Sequence, residues 1–371
     1  MALQRTIAPR LIGKTSGQSV PVFIGNGLVD HLSQILQPSD AQNRIEVVTD
    51  RHVGRLLGHR VRGALRRAGW SVNLTTLPAG ERIKSARIVS SLHDRWFELR
   101  YDRRTPILAL GGGTVGDAAG FAAATFLRGL PLWQFPTTIV AQVDAAIGGK
   151  VGINHARGKN LIGCFYQPSG IVIDPSLLAT LPVRERRSGL AEVVKYGVIS
   201  DGPLFRSCEQ HLEAWIDGNA PIPDTVIERC VKIKLRIVAA DETDHGVRRN
   251  LNFGHTLGHA LERWGKFRRL RHGEAVALGM IGAGWIAYRR KLWSKDQFER
   301  LCRLCGHLHP RRLPPFRQGE ITTHLSVDKK RVGDRNVWIL PRGIGQVDSF
   351  DDVTEREISG ALAFIAAWTE D

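Results

Sequence analysis

In the first half of the chain, apolar positions gather into short runs: 45–50 (IEVVTD), 71–77 (SVNLTTL), 105–110 (TPILAL), 132–136 (LWQFP) and 170–174 (GIVID). Each run is strand-length and rich in β-branched residues, and several are apolar at nearly every position, as strands covered on both faces are. Helical stretches fill the gaps, so the alternation predicts an α/β arrangement around a mostly parallel sheet. Beyond Pro182 the apolar period lengthens, and 183–198, 204–217, 224–240, 252–263 and 273–290 read as helices. One boundary near residue 180 separates the two patterns. It gives an α/β domain over 1–180 and an α-helical domain over 181–371, with a ligand cleft expected between them.

Composition narrows the classes. The 371 residues are enough for a buried core without disulfide staples, and an odd number of cysteines, five, suits a reducing compartment. The longest apolar stretch, 275–287 (AVALGMIGAGWIA), is shorter than the roughly 20 residues a membrane span needs, and the first 30 residues hold no continuous apolar run of the signal-peptide kind. A cytoplasmic location and no membrane partner are therefore expected. The excess of 52 Lys and Arg over 36 Asp and Glu leaves a net charge of +16. That charge attracts nucleic acid, acidic membrane and anionic metabolites alike. The basic residues are scattered and carry no helix-turn-helix, zinc-finger or RNP-type signature, so solvated faces plus a phosphate site are expected rather than a nucleic-acid partner.

Candidate chemistry lies in three places. Gly111 to Asp117 (GGGTVGD) follows the strand TPILAL and opens a helix, the context in which bare backbone approaches a pyrophosphate at a helix N-terminus. No acidic residue lies about 20 positions downstream to take a ribose hydroxyl, which leaves Asp50 and Glu81 as candidates. His255 and His259 share one helical face in NFGHTLGHALE, His272 opens the helix HGEAV, and Glu192 in GLAEVVKYG is the best carboxylate to complete a metal site. Cys302 and Cys305 are a competing metal or redox pair, but with no second pair at zinc spacing they read as structural. The third place is a polar set between apolar neighbours: Arg128, Asp144, Lys150, Asn154, Lys159, Asn160, Lys195, Lys234, Arg248 and Asn252. Lys and Arg beside glycines, as in IGGKVGIN and RGKNLIG, suggest loops folded around an anionic, hydroxylated ligand.

The strings GGGTVGDAAGFAAATFLRG, PTTIVAQVDAAIGGKVGIN, GKNLIGCFYQP, GLAEVVKYG, LNFGHTLGHALE and HGEAVALGM together resemble the 3-dehydroquinate synthase family of sugar-phosphate cyclases, with matching spacing from Asp50 to Lys330. The resemblance implies an N-terminal NAD-binding α/β domain, a C-terminal α-helical metal domain and a homodimer. It also implies conversion of 3-deoxy-D-arabino-heptulosonate 7-phosphate to 3-dehydroquinate and phosphate, with NAD used and regenerated. By position, Glu192, His255 and His272 match the zinc ligands, cobalt being an alternative metal, while His259 falls near the substrate phosphate. Asp50, Glu81, Lys84, Gly112, Gly113, Asp117, Thr137, Thr138, Lys159, Leu177, Thr180, Leu181 and Glu185 match NAD-site positions. Arg128, Asp144, Lys150, Asn160, Lys195, Lys234, Arg248, Asn252, Lys329 and Lys330 match the substrate and catalytic positions. The chain departs from the family at Asp244, where Glu is usual, at Leu177, where an aromatic is frequent, and at His52, where a small polar residue is common. Cyclases acting on sedoheptulose 7-phosphate or glucose 6-phosphate, and metal-dependent polyol dehydrogenases, are the alternatives. Lys234, Arg248 and Asn252 favour a substrate bearing a carboxylate.

Overall fold

The computed structural model describes residues 11–15, 17–38, 43–308, 316–325, 331–332 and 335–369. The strands of the first half are β1 (Leu11–Thr15), β2 (Gln18–Ile24), β3 (Arg44–Asp50), β4 (Ser71–Leu77), β5 (Ile107–Gly111), β6 (Leu132–Pro136), β7 (Lys150–His155), β8 (Gly158–Phe165) and β9 (Gly170–Ile173). Seven of them form one sheet in the order β1-β2-β9-β6-β5-β3-β4. Only β1 with β2 runs antiparallel; the other pairings in this sheet are parallel. All residues of β5 and β9 are buried, which is why they read as unbroken apolar runs. The helices α1 (Leu32–Ile35), α2 (Arg51–Arg67), α3 (Ala86–Glu98) and α4 (Gly113–Thr125) connect the strands. The chain leaves β3 for β4 on one side and returns as β5 on the other side of β3. The strand order therefore reverses at β3 and β5, and ligands in open α/β sheets bind beyond the carboxyl ends of such a pair.

Two hairpins were not expected. β1 and β2 lack a long apolar run and carry Pro21, the weak pattern of an edge. The segments IGGKVGIN and RGKNLIG, read as ligand loops, are instead the antiparallel hairpin β7–β8. Gly152 and Gly163 face each other there, and a Cβ on Gly152 would stand 2.5 Å from the carbonyl oxygen of Ile162. These glycines permit close strand approach rather than wrapping an anion.

The second half contributes α5 (Val183–Ser200), α6 (Gly202–Asp217), α7 (Asp224–Ala240), α8 (His255–Trp264), α9 (His272–Arg289), α10 (Lys295–Leu308), α11 (Gln318–Leu325) and α12 (Glu355–Trp368). Antiparallel strands Trp338–Gly343 and Gln346–Phe350 interrupt the expected all-helical pattern. The chain divides into two compact units, 1–181 with 222–243, and 182–221 with 244–371. A single crossing near residue 180 does not describe this division, because α7 returns to the first unit. It packs on β1 and on the turn 141–145, and Lys234 of α7 reaches Asp144 with Nζ–Oδ1 of 2.7 Å. In the second unit α9 packs against α5, α8, α10 and α12. Burial on every side accounts for its continuous apolar sequence. Among the described residues, no helix is long and apolar enough to cross a membrane.

Candidate functional site

The helices carrying the histidines meet through glycine. A Cβ on Gly273 would overlap the backbone oxygen of Ser188 on α5, and one on Gly279 would overlap that of Gly254. Gly254 has φ +77°, a conformation open to glycine, and opens α8 immediately before His255. Backbone thus approaches backbone, and the side chains of α5, α8 and α9 converge. One ligand atom from each of Glu192, His255 and His272 falls within 4.8 Å of the other two. His272 Nε2 lies 3.2 Å and His255 Nε2 3.6 Å from Glu192 Oε1. The Nδ1 of His255 is 3.0 Å from the Phe253 carbonyl, so the neutral ring donates there and turns the Nε2 lone pair toward Glu192.

Glu192 is fully buried, and neither of its oxygens makes a hydrogen bond of good geometry among the described residues. The ammonium of Lys195, only 1% exposed, stands against it as an ion pair. Burial opposes ionisation of Glu192, but Lys195 and His272 outweigh it and hold the carboxyl well below the usual carboxylate range. Burial likewise opposes charge on His272, yet Glu192 and Glu262 push its ring up to about 10. A buried carboxylate with two imidazoles converging on it is the donor set of a metal site that keeps a coordination position open, and these residues fit a zinc-like ion.

Around this group, His259 lies with its ring 5.5 Å from that of His255 and 6.1 Å from that of His272. Arg248, 2% exposed, and Asn252 lie on the 3-10 turn Val247–Asn252 that leads into α8. Asp244 precedes that turn with φ +66°. Glu185 in the first turn of α5 pairs with Arg271 at 3.4 Å. Sequence reasoning missed Glu262, whose Oε2 is 3.3 Å from His272 Nδ1. Its place three residues after His259 and seven after His255, on one helical face, was the available signal. Cys302 and Cys305 on α10 are free thiols, and burial pushes Cys302 up to about 12.

In the first unit, the carboxyl ends of β3 and β5 carry Asp50 and Gly112. Asp50 caps α2, its Oδ1 accepting from the amides of His52 and Val53 at 2.8 and 3.0 Å. Gly112 precedes α4, and no side chain caps that helix. A Cβ on Gly112 would lie 3.2 Å from Thr138 Cγ2 and one on Gly113 3.1 Å from Ala145 Cβ, so the turn is tight as well as bare. The Gly116 of the same motif serves packing, since a Cβ there would stand 2.8 Å from Gln134 Oε1. The hydroxyls of Thr49 and Thr137 are buried beside these strand ends with no hydrogen-bond partner among the described residues. Thr138 accepts from the Ala141 amide at 3.3 Å.

Next to α4, Lys84 donates to Asp117 at 2.5 Å and also to Asn160. Burial pushes the Asp117 carboxyl up, against the pull of Lys84. Asn154 donates to Glu81 at 2.8 Å and accepts from the Asn160 amide at 3.0 Å, so the hairpin joins this network, with Lys159 adjacent. Lys150 lies 6.0 Å over the Phe165 ring. Arg128 is not brought to the group: it is exposed, with φ +65°, beyond the far end of α4, about 20 Å of helix from Gly113. Leu177 packs in the apolar core with Phe23, Leu28 and Val29. Thr180 donates to the Leu177 carbonyl at 3.2 Å, and the Leu181 amide to Leu178 at 3.1 Å. Lys329 and Lys330 lie outside the described residues.

A mostly parallel sheet with a bare glycine turn, and a helical unit presenting a Glu–His–His group, are shared with the sugar-phosphate cyclases. The structure is similar to 2-epi-5-epi-valiolone synthase from Streptomyces hygroscopicus, solved with NAD+ and Zn2+ bound, at TM-score 0.86 and 30% identity, covering 96% of this chain and 99% of that one. It is also similar to 2-deoxy-scyllo-inosose synthase complexed with carbaglucose-6-phosphate, NAD+ and Co2+, at TM-score 0.85 and 25% identity, covering 95% and 98%. By sequence, the families described as 3-dehydroquinate synthase N-terminal and C-terminal match residues 74–188 and 189–331. The 3-dehydroquinate synthase of Desulforamulus reducens is 43% identical over 351 residues, 93% of this chain and 97% of the relative. The chain belongs to the 3-dehydroquinate synthase family and is a lyase.

Proposed function

We propose that the chain converts 3-deoxy-D-arabino-heptulosonate 7-phosphate to 3-dehydroquinate and phosphate in the shikimate pathway, with NAD+ consumed and restored in each turnover. The observation that carries this reading is the convergence of Glu192, His255 and His272 with a buried Lys195 beside them. Those three side chains would hold Zn2+, or Co2+ in its place. When bound, NAD+ supplies a reversible hydride acceptor and the divalent ion a Lewis acid for adjacent substrate oxygens.

The chain's own residues bind and orient. Asp50 uses Oδ1 for the α2 amides, which leaves Oδ2 to accept from a ribose hydroxyl. The uncapped start of α4 and the unpartnered Thr137 hydroxyl offer donors to a pyrophosphate. Glu81, Lys84, Asp117, Thr138, Lys159, Thr180 and Leu181 are the further nucleotide-binding candidates of the first unit, and Glu185 is that of the second. Lys84 is tied to Asp117 and Asn160.

Arg248, only 2% exposed, offers a planar fork that can pair with a carboxylate through two hydrogen bonds. Lys234 is held by the Asp144 side chain at 2.7 Å, which fixes its ammonium as a donor for an anionic substrate group. Asn252 bonds hydroxyls. Lys150 in the first unit and Lys195 in the second supply positive charge for an anionic substrate, Asn160 offers a neutral amide donor, and a ring nitrogen of His259 is able to hold or release a proton. A cytoplasmic homodimer is part of this reading, and light scattering of the purified chain measures the dimer.

The decisive assay supplies NAD+, Zn2+ and the heptulosonate phosphate. Release of phosphate and dehydroquinate without accumulating NADH is expected. Turnover of sedoheptulose 7-phosphate with none of the acid substrate would overturn the assignment and the carboxylate-reading role of Arg248.

A further inference from the structure

Glu262 has no part in the roles above, yet it is buried against the group that holds the ion. His272 presents Nε2 to Glu192 at 3.2 Å and Nδ1 to Glu262 at 3.3 Å, on opposite sides of its ring. The two histidines differ in how they are held. His255 is steadied by the carbonyl of Phe253 two residues away, a local contact of its own turn. His272 is the first residue of α9, with no earlier turn of that helix to lean on, and its side chain is 36% exposed against 11% for His255. A ring in that position rotates unless something grips its second nitrogen. An imidazole that offers Nε2 to a cation keeps its remaining proton on Nδ1, and a carboxylate acceptor there fixes the tautomer, the ring plane and the basicity of the ligand.

We infer that Glu262 is a positioning residue, holding His272 through Nδ1 so that Nε2 faces the same point as Glu192 and His255. This inference rests on the metal reading under Proposed function. A rival arrangement is visible: His259, Glu262 and His272 also offer ligand atoms within 4.8 Å of one another. Filling that second seat together with the first would strip both ring protons from His272, whereas the orienting role leaves the Nδ1 proton where the geometry puts its acceptor.

The test compares wild type with Glu262→Ala and Glu262→Gln after chelation and stepwise return of Zn2+ against a chromophoric chelator. We expect one ion per chain in all three, with zinc affinity lowered about 10- to 100-fold in the alanine variant. The glutamine variant, whose amide oxygen still accepts from Nδ1–H, should recover most of that loss. In the zinc-loaded wild type the His272 ring N–H should give a downfield proton resonance that is missing in Glu262→Ala. Unchanged affinity in Glu262→Ala overturns the inference, as does a wild-type stoichiometry of two ions that falls to one. The wild-type protein decides even if the alanine variant does not fold: ring nitrogen shifts of His272 that show Nδ1 rather than Nε2 bound to zinc overturn the inference, because Nδ1 then carries no proton for Glu262 to accept. A wild-type chain that takes up no zinc overturns the metal reading itself, and is told apart by failing before any variant is compared.

Discussion

Single side chains here are charged where burial alone would neutralise them. Glu192 remains a carboxylate because Lys195 and His272 stand beside it, and a cation that binds there meets a preformed negative charge. Removing a ligand and removing a substrate reader should therefore separate cleanly. His272→Ala is expected to lose bound zinc and nearly all turnover, measured by metal analysis of the purified variant. Arg248→Ala should keep zinc and NAD but lose about 2–5 kcal/mol in kcat/KM, read from steady-state kinetics on the acid substrate. Unchanged zinc content in the first, or lost zinc in the second, contradicts the roles. The residue scale is also where sequence patterning was most informative, since the i, i+4 spacing of His255 and His259 singled out the helix face that meets His272 in the structure. It did not say which imidazoles turn toward Glu192, because that depends on the Phe253 carbonyl and on where α9 begins.

At the scale of elements, glycine contacts and caps set the distances between helices. Gly273 lets the first turn of α9 sit directly on the backbone of α5. Gly273→Ala should push the two apart, cost about 1–3 kcal/mol in thermal unfolding and weaken zinc binding in the same protein. The C-terminal helix α12 is anchored differently. Glu357 closes a capping box with Thr354 and receives both Nε and Nη2 of Arg290 at 2.6 and 2.9 Å. The Arg290 hydrogen bonds outweigh burial and bring the Glu357 carboxyl down to about 2. A carboxyl lowered on folding stabilises above its unfolded pKa and loses that contribution as pH falls through the folded one. Roughly 1–3 kcal/mol should thus be present at pH 7 and disappear between about pH 4.5 and 2, while Glu357→Gln removes it at pH 7 and flattens the dependence. Denaturant titrations of both proteins across that range measure it. The strand and helix periods were legible in the sequence. The hairpin β7–β8 was not, because its glycines match those of a ligand loop until the opposing strand is seen.

On the scale of the whole molecule, the first unit is assembled from two separate stretches, 1–181 and 222–243. α7 covers β1 and the turn that carries Asp144, so residues 1–181 alone should unfold without cooperativity. The same stretch joined by a short linker to 222–243 should unfold as one transition, followed by circular dichroism on heating. Cooperative unfolding of 1–181 alone would contradict this. By itself the sequence determined the alternating first half and the mostly helical second half, the central strands, the glycine turn and the pairing of His255 with His259 on one helical face, because each is written in spacing along a few turns of chain. Only the tertiary structure decided that α7 returns to the first unit, that 150–165 is a hairpin, and that Glu262 meets His272. These depend on partners distant in sequence or on the angle at which two helices meet, and an amphipathic period says that a face is buried without saying against what.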